Sequence, residues 1–258
     1  MNTLIGDIGN TNTKICLINS KNLNLKKSFN FVSKNILSSS FLKKQFKKII
    51  KKEKINKFAL ISSVVPKYNS FLKSFLKRFY KLELKEIKDK KINKIIKINI
   101  KNKNQIGSDR IANAVGVFKK YKSNCIVLDF GTATTFDVVT KNGIYNGGRI
   151  APGINLAIKR LIKSADQIPK FKLKKHKKII GKNTLEALRS GFYWGYIGLI
   201  NNIIFKIEKE TGRKYKIIFT GGYADLFKNS IKKPFKIDKN ITINGIIEIF
   251  NCNKNYLT

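Results

Sequence analysis

Two short apolar stretches near the N-terminus, Leu4-Ile5 and Ile15-Cys16-Leu17-Ile18, flank the polar tip Gly9-Asn10-Thr11-Asn12. Strand-forming residues on both sides of a glycine-containing turn predict a hairpin over residues 3–18. Helical spacing follows from about 40 to 52, where Phe41, Leu42, Phe46, Ile49 and Ile50 recur among lysines, and again from Tyr68 to Tyr80. Between these helices Phe58 to Ile61 reads as a buried strand. Residues 81–105 are lysine-, isoleucine- and asparagine-rich and define no distinct element. Ser108 is placed to cap a helix that carries Ile111, Val115 and Phe118.

From Cys125 the opening pattern returns. Ile126-Val127-Leu128 runs into Asp129-Phe130-Gly131-Thr132-Ala133-Thr134, and Phe136 to Val139 leaves, so the chain carries the same hairpin twice. A strand over Gly143 to Ile150 and a helix after Pro152-Gly153 come next. A long helix over 184–209 has Leu185, Leu188, Phe192, Gly195, Leu199, Ile203 and Ile207 along one side. Ile217 to Phe219 is a strand ending at Thr220-Gly221-Gly222, and a last helix covers Thr242 to Phe250. Strands first and helices later predict an α/β protein of two related domains with mixed sheets flanked by helices, residues 1–118 and 119–258.

The repeated turns are where chemistry is expected. Glycine lets backbone N–H groups approach an anion, small hydroxyl and amide side chains add donors, and a neighbouring carboxylate suits a cation bridging to phosphate. One such loop alone reads equally well as a surface turn. Two of them, each with an aspartate two residues before its glycine (Asp7 and Gly9, Asp129 and Gly131), predict a polyphosphate held from both sides of an interdomain cleft. Gly107-Ser108-Asp109-Arg110 opens a helix, whose N-terminus offers unpaired N–H groups beside a carboxylate and a guanidinium able to fork onto a substrate carboxylate. Gly147-Gly148-Arg149-Ile150-Ala151-Pro152-Gly153 and Thr220-Gly221-Gly222 are strand-to-helix junctions where the backbone is expected to pass close to something.

Charge changes this picture less than its size suggests. The formal net charge is +39, but Arg78, Arg110, Arg149, Arg160, Arg189 and Arg213 are the only arginines. Selection for phosphate and base readout enriches arginine on one face. Here lysine pairs such as Lys47-Lys48, Lys51-Lys52, Lys90-Lys91, Lys174-Lys175 and Lys232-Lys233 are spread along the chain, beside abundant asparagine and isoleucine that share A/T-rich codons. The expectation is a solvated surface with non-specific, salt-sensitive nucleic-acid binding at most. Cys16, Cys125 and Cys252 lack metal or disulfide spacing, and Cys16 and Cys125 read as buried in strands. Without a leader pattern or an apolar run of spanning length, a cytoplasmic protein with no membrane association is expected.

Taken in order, Asp7-Ile-Gly-Asn-Thr, Gly107-Ser-Asp-Arg, Asp129-Phe-Gly-Thr-Ala-Thr, Gly147-Gly-Arg-Ile-Ala-Pro-Gly and Thr220-Gly-Gly resemble the motif set of type III pantothenate kinases, within the actin, sugar-kinase and heat-shock ATPase superfamily. The resemblance implies two ribonuclease-H-like (actin-like ATPase) domains, a homodimer, and transfer of the ATP γ-phosphate to pantothenate, the first step toward coenzyme A. It implies that Asp7, Ile8, Gly9, Asn10, Thr11, Asn12, Thr13 and Lys14 form the first phosphate loop, and that Gly131 and Thr132 contact ATP, bound with magnesium. By the same resemblance Asp129 holds a monovalent cation, potassium or ammonium. Gly107, Ser108, Asp109 and Arg110 bind pantothenate, with Asp109 as catalytic base, and Thr184 matches a substrate-contacting threonine supplied across the dimer. One position departs from the pattern: Ile100 stands where the family commonly has a substrate-binding tyrosine. A sugar or acyl-acid kinase of the same superfamily and a nucleic-acid-binding regulator are the competing readings.

Overall fold

In the computed structural model the chain forms two compact units. One comprises Met1–Lys122, Asn142–Tyr145 and Asn240–Thr258; the other comprises Ser123–Lys141 and Asn146–Lys239. The structure describes residues 1–51, 53–89, 95–228, 231 and 233–257, so Lys52, Lys90, Lys91 and Lys232 of the lysine pairs lie outside the described residues.

The first unit is built on the predicted hairpin, β1 (Asn2–Ile8) and β2 (Asn12–Asn19), paired antiparallel. β3 (Leu25–Val32), β4 (Ile55–Ser63) and β5 (Glu83–Glu86) complete a sheet of order β3-β2-β1-β4-β5, in which β4 runs parallel to both β1 and β5. The two central strands are buried on both faces, which is why they read as apolar runs rather than as alternation. On one face Leu4, Ile8, Ala59 and Ile61 pack with Leu42 and Phe46 of α1 (Ser39–Ile50) and Leu72, Phe75 and Leu76 of α2 (Pro66–Tyr80). The starts of both helices follow from their sequence: the Ser38 hydroxyl accepts from the Phe41 N–H, and Pro66 sits in the first turn.

From β4 the opposite side chain, Phe58, meets Phe250 of α6 (Ile241–Cys252), which lies against α3 (Ser108–Tyr121). These two helices touch backbone to backbone. A Cβ on Gly245 would stand 1.8 Å from the Ala112 carbonyl oxygen, and one on Gly116 would stand 2.5 Å from that of Ile241. Glycine at both positions is therefore a steric requirement. The expected cap of α3 is corrected here: Gly107 occupies the capping position, and Ser108 is the first helical residue, its side chain turned inward.

The second unit repeats the plan. β7 (Cys125–Phe130) pairs antiparallel with β8 (Ala133–Val139) and parallel with β10 (Lys216–Gly221), which is parallel to β11 (Phe235–Ile237). β9 (Ile144–Pro152) extends the sheet, giving β11-β10-β7-β8-β9; its first two residues, Ile144 and Tyr145, belong to the first unit and pair there with β6 (Lys97–Ile98). The expected mixed sheets flanked by helices are thus present, and the central order of one sheet matches that of the other. α4 (Ile154–Ser164) and α5 (Thr184–Thr211) flank this sheet, with Tyr193 and Phe227 stacked in its core.

α5 buries a second stripe beside the one the sequence predicts. Its buried side is Tyr193, Tyr196, Ile197, Ile200, Ile204 and Ile207, whereas Leu188, Phe192, Gly195 and Leu199 of the predicted stripe border an open groove. The helix has two apolar stripes, and periodicity alone does not say which faces the sheet. Cys16 and Cys125 are buried in strands as expected, and burial pushes the Cys16 thiol up to about 11. Among the described residues no helix is long and apolar enough to cross a membrane.

Candidate active site

The first glycine loop joins two strands of the first unit. Asp7 ends β1 half-buried, while Asn10, Thr11 and Asn12 are exposed at the tip. The turn closes through the Gly9 N–H on the Asn12 carbonyl at 3.1 Å. Ser33, a buried residue after β3, holds it from beneath. Its N–H donates to the Thr11 carbonyl at 2.9 Å and its hydroxyl to the Gly9 carbonyl at 2.7 Å, while the Thr13 hydroxyl lies 2.9 Å from Ser33 Oγ. Ser33 has one hydroxyl proton and gives it to Gly9, so Thr13 is the donor in that last pair. At the end of the loop the Lys14 ammonium donates to Asn240 Oδ1 at 2.7 Å.

The second candidate motif lies in the same unit, at the start of α3. The Asp109 carboxylate folds back over Gly107, where a Cβ would stand 2.4 Å from Asp109 Oδ1, and accepts the Arg110 N–H at 2.8 Å. Burial lifts its pKa above the ordinary carboxylate value, and the Arg110 N–H and the charges of Arg110 and Lys88 offset only part of that rise. A carboxyl shifted in this direction is a better proton acceptor once ionised. The Arg110 guanidinium carbon lies 6.0 Å from the centroid of the Tyr145 ring. Ser62 stands opposite Asp7 in the β1–β4 register and donates to Ser108, so one residue links the two motifs.

In the second unit Asp129 is half-buried at the end of β7, and Gly131 and Thr132 are exposed. The Gly131 N–H closes the turn on the Ala133 carbonyl at 3.0 Å, as Gly9 does in the first loop. The two glycine junctions expected to approach something both do so here. A Cβ on Gly153 would stand 2.0 Å from the Thr132 carbonyl oxygen; one on Gly221, at φ +84°, would stand 2.7 Å from Asp129 Oδ1. At Gly221 the backbone therefore passes too close to Phe130 and Asp129 to admit a side chain. Among the described residues no three His, Cys, Asp or Glu side chains gather as a metal cluster.

Thr184 is exposed in the first turn of α5, at one end of a groove of about 600 Å³ that also involves Pro152, Ala157, Leu188, Phe192 and Leu199.

The family model for type III pantothenate kinase matches residues 3–206. The chain belongs to that family. It is 51% identical to the type III pantothenate kinase of Pelagibacter ubique (strain HTCC1062), over 95% of this chain and 96% of the relative. With that of Paramagnetospirillum magneticum it shares 39% identity over 76% and 75%. Among solved structures, a Campylobacter jejuni chain assigned to the Baf family of transcriptional activators superposes with a TM-score of 0.62 at 23% identity, covering 98% of this chain and 99% of that one. Component A of the Acidaminococcus fermentans (R)-2-hydroxyglutaryl-CoA dehydratase gives 0.57 at 11% identity, covering 100% and 99%. At these identities the superpositions speak to the fold alone.

Against the type III pantothenate kinase pattern, the departure at Ile100 acquires a setting. Ile100 is half-buried at a bend, and the N–H of its neighbour Asn99 donates to the Tyr145 carbonyl at 2.9 Å. Tyr145, which sequence reasoning did not single out, is an aromatic side chain beside Arg110. Ser33, Ser62 and Asn240 were also missed. Isolated serines and asparagines in a polar chain carry no periodic signal; strand pairing brings Ser33 and Ser62 to the motifs, and the placement of α6 brings Asn240.

Proposed function

We propose that this kinase transfers the γ-phosphoryl group of ATP to the primary hydroxyl of pantothenate, the first step of coenzyme A biosynthesis. Family membership across most of the chain carries the reading, with Gly107-Ser-Asp-Arg at the start of α3 as the motif that distinguishes it within the superfamily. Residues Asp7 to Lys14 and Gly131-Thr132 bind the nucleotide phosphates, and Gly107, Asp109 and Arg110 receive pantothenate, Arg110 through its carboxylate. Asp109 orients the acceptor hydroxyl and takes its proton as the new bond forms. Phosphoryl transfer passes through a loose transition state, so positioning and charge neutralisation supply most of the acceleration. Magnesium on the nucleotide, when bound, supplies part of that neutralisation, and Asp7 is the carboxylate beside the first loop. Asp129, at the end of β7, holds the monovalent cation. A second copy of the chain covers the apolar stripe of α5, bringing Thr184 to the partner's substrate; sedimentation of the purified chain tests this.

The deciding experiment is phosphorylation of pantothenate by wild type and Asp109→Asn, in potassium and in sodium buffer. Asp109→Asn is expected to keep nucleotide binding and lose turnover by roughly 10²–10⁴-fold. Lower activity in sodium is expected from the cation role. Product formed equally by Asp109→Asn would exclude it as the base, and consumption of ATP with a hexose or acetate but not pantothenate would reject the acceptor. The raised pKa of Asp109 also fixes a sign. Activity falls as pH drops through that raised value, so the acid limb of kcat/KM lies above the ordinary carboxylate range. The folded state holds this proton more tightly than the unfolded one, so the ionised group opposes folding at neutral pH and the opposition is relieved as pH falls. Asp109→Asn is accordingly expected to unfold at the same or a higher temperature at pH 7.

A further inference from the structure

Ser108 lies inside the motif assigned to the acceptor, yet its side chain points the other way. It is fully buried, donates to the Ser63 carbonyl at 2.6 Å and accepts from the Ser62 hydroxyl at 3.2 Å. Ser62 is fully buried as well, and in the parallel β1–β4 register it is the residue opposite Asp7. Ser63 is fixed in turn by a local turn in which its hydroxyl accepts the Val65 N–H at 3.3 Å, just before α2 begins. α3 receives no side-chain cap from Gly107, so nothing in the usual capping position determines where its first turn sits. The hook of Ser108 onto the end of β4 does so instead. It ties the residue before Asp109 to the strand that neighbours Asp7.

We infer that Ser108 is a positioning residue, which through Ser62 and Ser63 sets the Asp109 carboxylate at a fixed place relative to the first phosphate loop, and does not contact the acceptor through its hydroxyl. The inference rests on the reading of Asp109 as the base. Removing the hydroxyl leaves the Ser63 carbonyl and the Ser62 hydroxyl buried without this partner, and the first turn of α3 is free to shift.

The test compares Ser108→Ala, Ser108→Thr and Ser62→Ala with wild type in steady-state kinetics, alongside amide hydrogen exchange of residues 107–111. Because a displacement near 1 Å costs on the order of 10²-fold in rate, Ser108→Ala is expected to lower kcat roughly 10–100-fold with both KM values within about twofold. Ser108→Thr, which keeps the hydroxyl, is expected to restore most of the loss, and Ser62→Ala to show a smaller one. Unchanged kcat in folded Ser108→Ala would overturn the inference; so would a loss carried by the KM for pantothenate, which would return the hydroxyl to substrate contact. If Ser108→Ala does not fold, Ser62→Ala decides, and wild-type kcat in that variant rejects the relay. Exchange is the readout independent of turnover: faster exchange over 107–111 in Ser108→Ala supports the hook and unchanged exchange refutes it. Inactive wild type would reject the pantothenate reading, while leaving that exchange result to judge the hook.

Discussion

The two phosphate-loop candidates have the same strand plan and nearly the same closing hydrogen bond, yet they are held in different ways. The first is pinned by polar bonds from Ser33, which reaches the Gly9 and Thr11 carbonyls and receives the Thr13 hydroxyl. The second is also packed tightly: besides the Gly222 N–H on the Phe130 carbonyl at 3.1 Å, Gly153 and Gly221 bring backbone against Thr132, Phe130 and Asp129 with no room for a methyl group. The two hairpins thus share a turn and differ in what supports it. Polar support is lost by deleting one hydroxyl, whereas steric support is lost by adding one carbon.

That contrast can be broken from either side. The largest effect is expected from Gly153→Ala, whose Cβ would stand 2.0 Å from a backbone oxygen that cannot move without the loop. A loss of about 3 kcal/mol or more of stability and weakened ATP binding should appear in thermal unfolding and nucleotide titration. Wild-type behaviour would mean that the second loop is not held by packing. Ser33→Ala comes next: the half-buried Gly9 carbonyl and the buried Thr13 hydroxyl lose their partner, for a cost of about 1–3 kcal/mol and a raised KM for ATP. If stability falls while the KM for ATP stays constant, Ser33 supports the fold but not the loop. Gly9→Ala is the smallest, because the nearest atom to its Cβ would be the Asn12 carbonyl oxygen at 3.1 Å. A change of about 1 kcal/mol or less is expected, since the loop need give by only a few tenths of an ångström. A large effect would show that the first loop too depends on glycine.

Much of this was legible beforehand. The duplicated hairpins, the amphipathic helices and the glycine junctions all announce themselves through local pattern, because turns and helical faces are set by residues near one another in the chain. β3 escaped notice because its residues are half-exposed and rich in lysine, leaving Phe29 and Phe31 as the only alternating signal. β5, β6 and β11 are too short to show a period. Which side of α5 faces the sheet was not legible, because both of its stripes are apolar. Of the candidate site, the motif residues were visible, but Ser33, Ser62 and Asn240 act from 24, 46 and 226 positions away, where spacing carries no information.

The close seating of α6 on α3 has a consequence for how the protein is made. α3 meets the helix whose backbone seats against its own only at residues 241–252, about 120 positions later. At synthesis rates of about 5–20 residues per second, α3 waits on the order of ten seconds for it. During that interval the surface of α3 around Ala112 and Gly116 is without the helix that covers it in the finished fold. A stop codon a few turns early would spare every motif and still leave the first unit unfinished.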